Sequence, residues 1–126
     1  MQVDGAAYGG LLGNAAGFAR YLKALLNAEA PFTPELVDQL LTQQTTLKGE
    51  PIPMALSWFK GELDGQTYFD HAGGGGGYYC EIRVYPRARR ASVAMFNRTG
   101  IQNDHLLDRL DPYFLPRADA QLRVSR

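Results

Sequence analysis

The sequence predicts an α+β fold, an antiparallel meander of about four strands flanked by helices. Three observations lead there. Apolar residues recur at helical spacing twice before residue 42, extended runs separated by short turn signals fill 54–97, and a further helical pattern comes after Asp104. No internal repeat and no linker-like stretch divides the 126 residues, so 1–126 reads as a single domain.

Tyr8-Gly9-Gly10-Leu11-Leu12-Gly13 is a glycine-punctuated entry, and Asn14 is placed to cap a helix beginning at Ala15. Phe18, Tyr21, Leu22, Leu25 and Leu26 share a stripe that Arg20 and Lys23 leave, which predicts an amphipathic helix over 15–27. Thr33-Pro34-Glu35 supplies a cap, a proline suited to the first helical position and an acid for the positive end of the helix dipole. Leu36, Val37, Leu40 and Leu41 complete that shorter helix, and 42–53, with Gly49, Pro51 and Pro53, reads as loop.

The first strand is expected over 55–62, with Leu56 and Trp58 alternating against Ser57 and Phe59. Asp64-Gly65 is a hairpin dipeptide, so the partner strand is expected over 66–71. Gly73 to Gly77 come next as a run that, beside a strand end, reads as a shallow wall of accessible N–H groups. Residues 78–85 form a third strand, with Tyr78, Cys80, Ile82 and Val84 on one face and Tyr79, Glu81, Arg83 and Tyr85 on the other. Pro86 to Arg90 is a basic turn and Ala91 to Asn97 a fourth strand. Asp104 caps a helix carrying Leu106, Leu107 and Leu110, which Pro112 ends or kinks; the tail 117–126 is polar and expected to be frayed.

Composition narrows the function classes. Apolar residues make up 45% and charged residues 21%, as in ordinary globular proteins. Thirteen basic and thirteen acidic side chains cancel, so net charge pulls the chain toward neither nucleic acid nor a membrane surface. No apolar run reaches membrane-spanning length, and Met1-Gln2-Val3-Asp4 lacks the basic start of a signal peptide. The chain as given is expected to be cytoplasmic, whereas a full-length parent with its own leader would be periplasmic or secreted. Cys80, alone on an apolar strand face, reads as a small core residue.

The glycine run does not match a phosphate cradle. A Walker loop needs Lys and Ser or Thr after its last glycine, and Tyr78 stands directly after Gly77; a dinucleotide fingerprint needs glycine at the sixth position before a helix, and here Tyr78 and a strand stand there. His71 and His105 sit on separate elements, and Asp104, His105 and Asp108 read as a capped, solvated helix start, so no metal and no cofactor are expected. Arg83, Arg87, Arg89 and Arg90 surround one turn without interleaved aromatic platforms, which reads as an exposed hairpin tip. His71 and its glycines are left as the candidate site.

Tyr8-Gly9-Gly10-Leu11-Leu12, Phe18-Ala19-Arg20-Tyr21-Leu22, Leu56-Ser57-Trp58-Phe59, His71-Ala72-Gly73, Val84-Tyr85-Pro86 and Ser92-Val93-Ala94-Met95-Phe96-Asn97 occur in an order that resembles the C-terminal part of the serine β-lactamase superfamily. The group most similar is that of class C β-lactamases, D-alanyl-D-alanine carboxypeptidases and esterases. The resemblance spans roughly residues 8 to 110 and implies the C-terminal part of a β-lactamase/transpeptidase-like fold, a partial domain of it. In that family a Lys or His, a small residue and a Gly lie on the strand bordering the active site. His71, Ala72 and Gly73 match this motif, implying that His71 holds a substrate carboxylate or tunes a proton relay, and that the Gly74 N–H is one of two oxyanion donors.

Departures from the family are equally specific. Its Ser-x-x-Lys nucleophile motif is represented only by Ser57 and Lys60, in a strand pattern that throws the two onto opposite faces. Tyr-x-Asn is absent, since Gly10 stands two after Tyr8 and Lys23 two after Tyr21, and Gly17 replaces a usual acid. The expectation is a C-terminal fragment or truncated homologue of a β-lactamase-like serine hydrolase that is inactive alone, taking a small acyl substrate only when a missing N-terminal half completes it. The alternative is a non-catalytic binding or assembly module that keeps the sheet and the glycine-walled groove. In the resembling fold the sheet continues past the last C-terminal strand with strands from the chain's beginning, so the resemblance implies that strand 91–97 is here an edge, expected to pair with another copy and give a homo-oligomer.

Overall fold

A computed structural model of the chain, describing residues 12–98, 100 and 106–116, begins with the capped helix that the sequence predicts. Asn14 is extended, and its side chain accepts the Gly17 N–H at 2.8 Å, opening α1 (Ala15–Asn27). The Thr33 hydroxyl accepts the Leu36 N–H at 3.2 Å, and Pro34 occupies the first position of α2 (Pro34–Leu41). Four strands come next: β1 (Phe59–Leu63), β2 (Gln66–Gly75), β3 (Tyr78–Tyr85) and β4 (Arg90–Phe96). They form one antiparallel sheet in the order β1-β2-β3-β4, so the chain is α+β with a meander, as expected. A short α3 (Leu106–Leu110) runs into a single 3-10 turn, Asp111–Tyr113, tightened where Pro112 removes a donor. Tyr8 to Leu11, Asp104, His105 and the tail 117–126, all singled out in the sequence, lie outside the described residues.

Two strand boundaries differ from expectation. The strand expected over 55–62 starts only at Phe59, because the chain reverses at Leu56-Ser57. Ala55 N–H donates to the Trp58 carbonyl at 2.8 Å, Met54 pairs with Phe59, and Ser57 takes a φ of 65°. Burial accordingly falls on Ala55 and Trp58 while Leu56 is exposed, breaking the alternation read from the sequence. The second difference is the glycine run. Gly73, Gly74 and Gly75 belong to β2, opposite Cys80, Tyr79 and Tyr78, and only Gly76-Gly77 form the turn, with Gly77 at φ 90°. At the other hairpin Asp64 and Gly65 both take positive φ, as their identities predict.

The two faces of the sheet are buried by different chemistry. On one face Phe69 and Val84 pack with Leu22 and Leu25 of α1 and with Trp58, flanked by Ile82, Val93 and the α2 residues Val37, Leu40 and Leu41. Each fully buried side chain of this kind contributes about 1.5–3 kcal/mol. The opposite face is ionic and aromatic. Arg83, fully buried, places Nη2 3.2 Å from Glu81 and 3.7 Å from Asp70, and Nη1 2.7 Å from Asp108 and 3.5 Å from Asp111. Its guanidinium lies 3.9 Å over the Tyr68 ring. The Tyr85 hydroxyl donates to Asp111 at 2.6 Å, and Ser92 Oγ donates to the other oxygen of the same carboxylate.

Gly61 stands opposite Tyr68 on β1, and a Cβ there would fall on the Tyr68 ring, whereas a Cβ at Gly73 meets open space. Gly61→Ala is therefore expected to destabilise by about 1–3 kcal/mol in urea denaturation, and Gly73→Ala to stay within about 0.5 kcal/mol of the parent. Arg83→Met removes the cation that Asp70, Glu81 and Asp111 share, and is expected to cost about 3–5 kcal/mol in the same measurement.

Candidate functional site

Sheet geometry decides what the His71 segment offers. In an antiparallel ladder alternate residues direct N–H and C=O to one neighbour and the rest to the other. Leu63 and Gln66 flank the Asp64-Gly65 turn as a hydrogen-bonded pair, so Gln66, Tyr68 and Asp70 face β1. Gly75 and Tyr78 flank the Gly76-Gly77 turn in the same way, so Phe69, His71, Gly73 and Gly75 face β3. Ala72 and Gly74 therefore point their N–H and C=O to the β1 side. β1, however, ends opposite Asp70, where Phe59 is the last partner. The backbone groups of Ala72 and Gly74 thus aim past the end of β1, and among the described residues no other backbone group pairs with them.

The side chains around this overhang are few. His71 is exposed and stacks with Phe59, ring centroids 6.0 Å apart and planes 22° from parallel. Ala72 is half-buried, and Gly73 is exposed with open space where a side chain would stand. Gly74 is hemmed from behind, since a Cβ there would sit 3.3 Å from both the Tyr78 carbonyl oxygen and a ring carbon of Tyr79. The Tyr78 ring covers Gly75, its nearest atoms 2.9 Å from the position a Cβ would take. The result is an open rim of two outward N–H donors, an imidazole with one face against an aromatic ring, and little steric cover.

The motif His71-Ala72-Gly73-Gly74 is thus brought together on one strand end, as a strand edge instead of the glycine wall expected from the run. Ser57 and Lys60 are not brought to it: Ser57 lies in the reversal before β1, and Lys60 Nζ donates to Gln43 Oε1 at 2.7 Å. Among the described residues no hydrogen bond joins Ser57 to Lys60 or to His71. Cys80 stands opposite Gly73, and burial, then the charge of Glu81, pushes its thiol above the ordinary range, away from thiolate chemistry. Among the described residues no group of three His, Cys, Asp or Glu side chains is placed to hold a metal ion, and no helix is long and apolar enough to cross a membrane.

Two features escape sequence reasoning. One is Phe59 as the stacking partner of His71, hidden because the hairpin register sets Phe59 opposite Asp70 and simple alternation would put His71 on the other face. The other is the ion cluster around Arg83, which the alternation of β3 assigned to a second face without indicating that the face is covered. Compared with family models, curated proteins and solved structures, the chain matches none.

The cluster also sets a pH response. Burial first, and the Asp111 carboxylate next, push the Tyr85 hydroxyl well above the ordinary tyrosine value, against the opposing pull of Arg83. Burial likewise raises Tyr68. The unfolded chain loses these protons near about pH 10, while the folded chain keeps them, so their contribution is full below that pH and is lost as pH rises above it. The denaturation midpoint is expected to fall above about pH 10, and to fall less steeply in Tyr85→Phe. Urea titrations across that range check it.

Proposed function

We propose that the β2 overhang is one wall of an acyl-transfer pocket, and that the chain is the C-terminal part or a truncated homologue of a β-lactamase-like serine hydrolase. The observation that carries this reading is the outward Gly74 N–H, on a strand that outruns its neighbour, at an edge that also exposes His71. A donor held in a ladder is oriented before any substrate arrives, which is the requirement for stabilising developing negative charge on an acyl oxygen. Glycine at 73 and 74 keeps the approach to that donor free of side chains. His71, steadied by Phe59, would meet a substrate carboxylate at the same rim. The attacking serine and its base would come from a separate half carrying Ser-x-x-Lys and Tyr-x-Asn.

A second reading, a non-catalytic module that binds through the same rim, is favoured by the place of Ser57 in the reversal before β1 and the engagement of Lys60 with Gln43. The two readings separate experimentally. The chain alone is expected to release no chromophore from a chromogenic β-lactam or a nitrophenyl ester, and burst kinetics abolished by Ser57→Ala would overturn both. Mixed with a helical half bearing the two missing motifs, it is expected to form an acyl-enzyme with a fluorescent penicillin. Gly74→Pro, which deletes the donor, should then slow acylation by about 10²–10³-fold. Failure of any such half to acylate, with the mixture folded, would leave the module reading.

A further inference from the structure

The other open edge of the sheet carries a different chemistry. β4 is terminal in the sheet order, and the ladder parity that turns Tyr79, Glu81, Arg83 and Tyr85 toward it makes Arg90, Ser92, Ala94 and Phe96 the residues that bond back to β3. Ala91, Val93 and Met95 therefore direct their N–H and C=O outward. Beside them, between β4 and α1, runs a groove of about 340 Å³ with Leu22, Leu26 and Val93 on its floor. Its charged lining residues are all basic: Lys23 on α1, with Arg89 and Arg90 where β4 begins. Among the described residues none of the three is in an ion pair, although Arg89 donates to Asn27 Oδ1, and Asn27 donates in turn to Glu29 outside the groove. In a chain whose charges cancel, this is a local concentration of positive charge at one end of a ladder that is unpaired among the described residues.

We infer that the β4 edge docks an extended segment of a partner protein by strand addition, with apolar side chains dropping into the α1 groove and acidic side chains at the end beside Arg90. Main-chain bonds from Ala91, Val93 and Met95 supply the affinity that any strand would gain, and Lys23, Arg89 and Arg90 supply the preference for acid. A second copy of the chain, the occupant expected from sequence, answers the ladder and not the charge. Neither α1 nor β4 contains an acidic residue, so antiparallel self-pairing lays the Phe96 end of one copy beside Arg90 of the other and leaves each groove's cations without a counter-charge. This inference is independent of the reading of the β2 rim.

The probe is a short acetylated peptide of alternating valine and threonine with two glutamates at its C-terminal end, the end that antiparallel addition lays beside Arg90. Titrated into the full chain, it is expected to bind at low salt, to shift the amide resonances of Ala91, Val93 and Met95, and to weaken as salt rises from about 0.05 to 0.5 M. Lys23→Glu combined with Arg90→Glu should weaken binding by about tenfold without touching the backbone. Ala91→Pro removes an outward N–H while sparing the β3 ladder, and should abolish the shifts while the circular dichroism spectrum is kept. Equal binding of a peptide with lysines in place of the glutamates would overturn the inference, as would absence of binding. Sedimentation showing a dimer that Ala91→Pro dissolves, with no peptide bound, would also overturn it and assign the edge to a second copy.

Discussion

The Arg83 guanidinium is the constraint around which this small sheet is assembled. It reaches Asp70 on the neighbouring strand, Glu81 on its own, and Asp108 and Asp111 on the C-terminal segment, while lying over the Tyr68 ring. Burial alone would drive its proton off more readily, yet the hydrogen bonds with Tyr85 and Asp108 more than offset this and hold the guanidinium charged. A planar fork of fixed donors suits that task where a lysine's single ammonium could not face so many directions. Because desolvating several charges is costly unless their geometry is satisfied, the cluster rewards one arrangement of β2, β3 and the C-terminal turn and penalises two-residue register slips, which keep an apolar face apolar. The leucine-rich face supplies most of the hydrophobic burial; the ionic face specifies how the elements meet.

How much of this was legible in the sequence depends on whether the signal is local. Asn14, Thr33-Pro34 and Asp64-Gly65 act on backbone groups within a few residues of themselves, and the two helices and the first hairpin lie where those residues place them. The alternation of β3 was equally local and correct in its division of faces. The start of β1 was not legible, because Leu56-Ser57-Trp58-Phe59 has a strand's composition and only the tertiary burial of Ala55 and Trp58 decides that the chain turns instead. Nor was the fate of the glycines, whose sequence is compatible with loop or ladder; pairing with Cys80, Tyr79 and Tyr78 decides it from across the hairpin. Covering of the second face depends on Asp108 and on Asp111, the latter 26 residues beyond its partner Tyr85, a separation that no periodicity reports.

The β2 rim arises from a difference in strand length, whereas the β4 rim is the terminal edge of the sheet. β1 contributes five residues against the ten of β2, and the reversal that buries Trp58 is also what stops β1 short. The start of the outer β1 edge is occupied, since Lys60 N–H donates to the Pro53 carbonyl at 3.0 Å. Packing in the apolar core thereby determines which backbone donors face outward, so the position of the candidate site is a by-product of where one tryptophan is buried.

The Tyr78 ring occupies the volume that a side chain at position 75 would need. A side chain at 75 must therefore turn the exposed Tyr78 ring away, whereas one at 73 meets open space. Replacement at 75 is therefore expected to swing the tyrosine off the hairpin tip and bare the strand end, while replacement at 73 leaves the ring where it is.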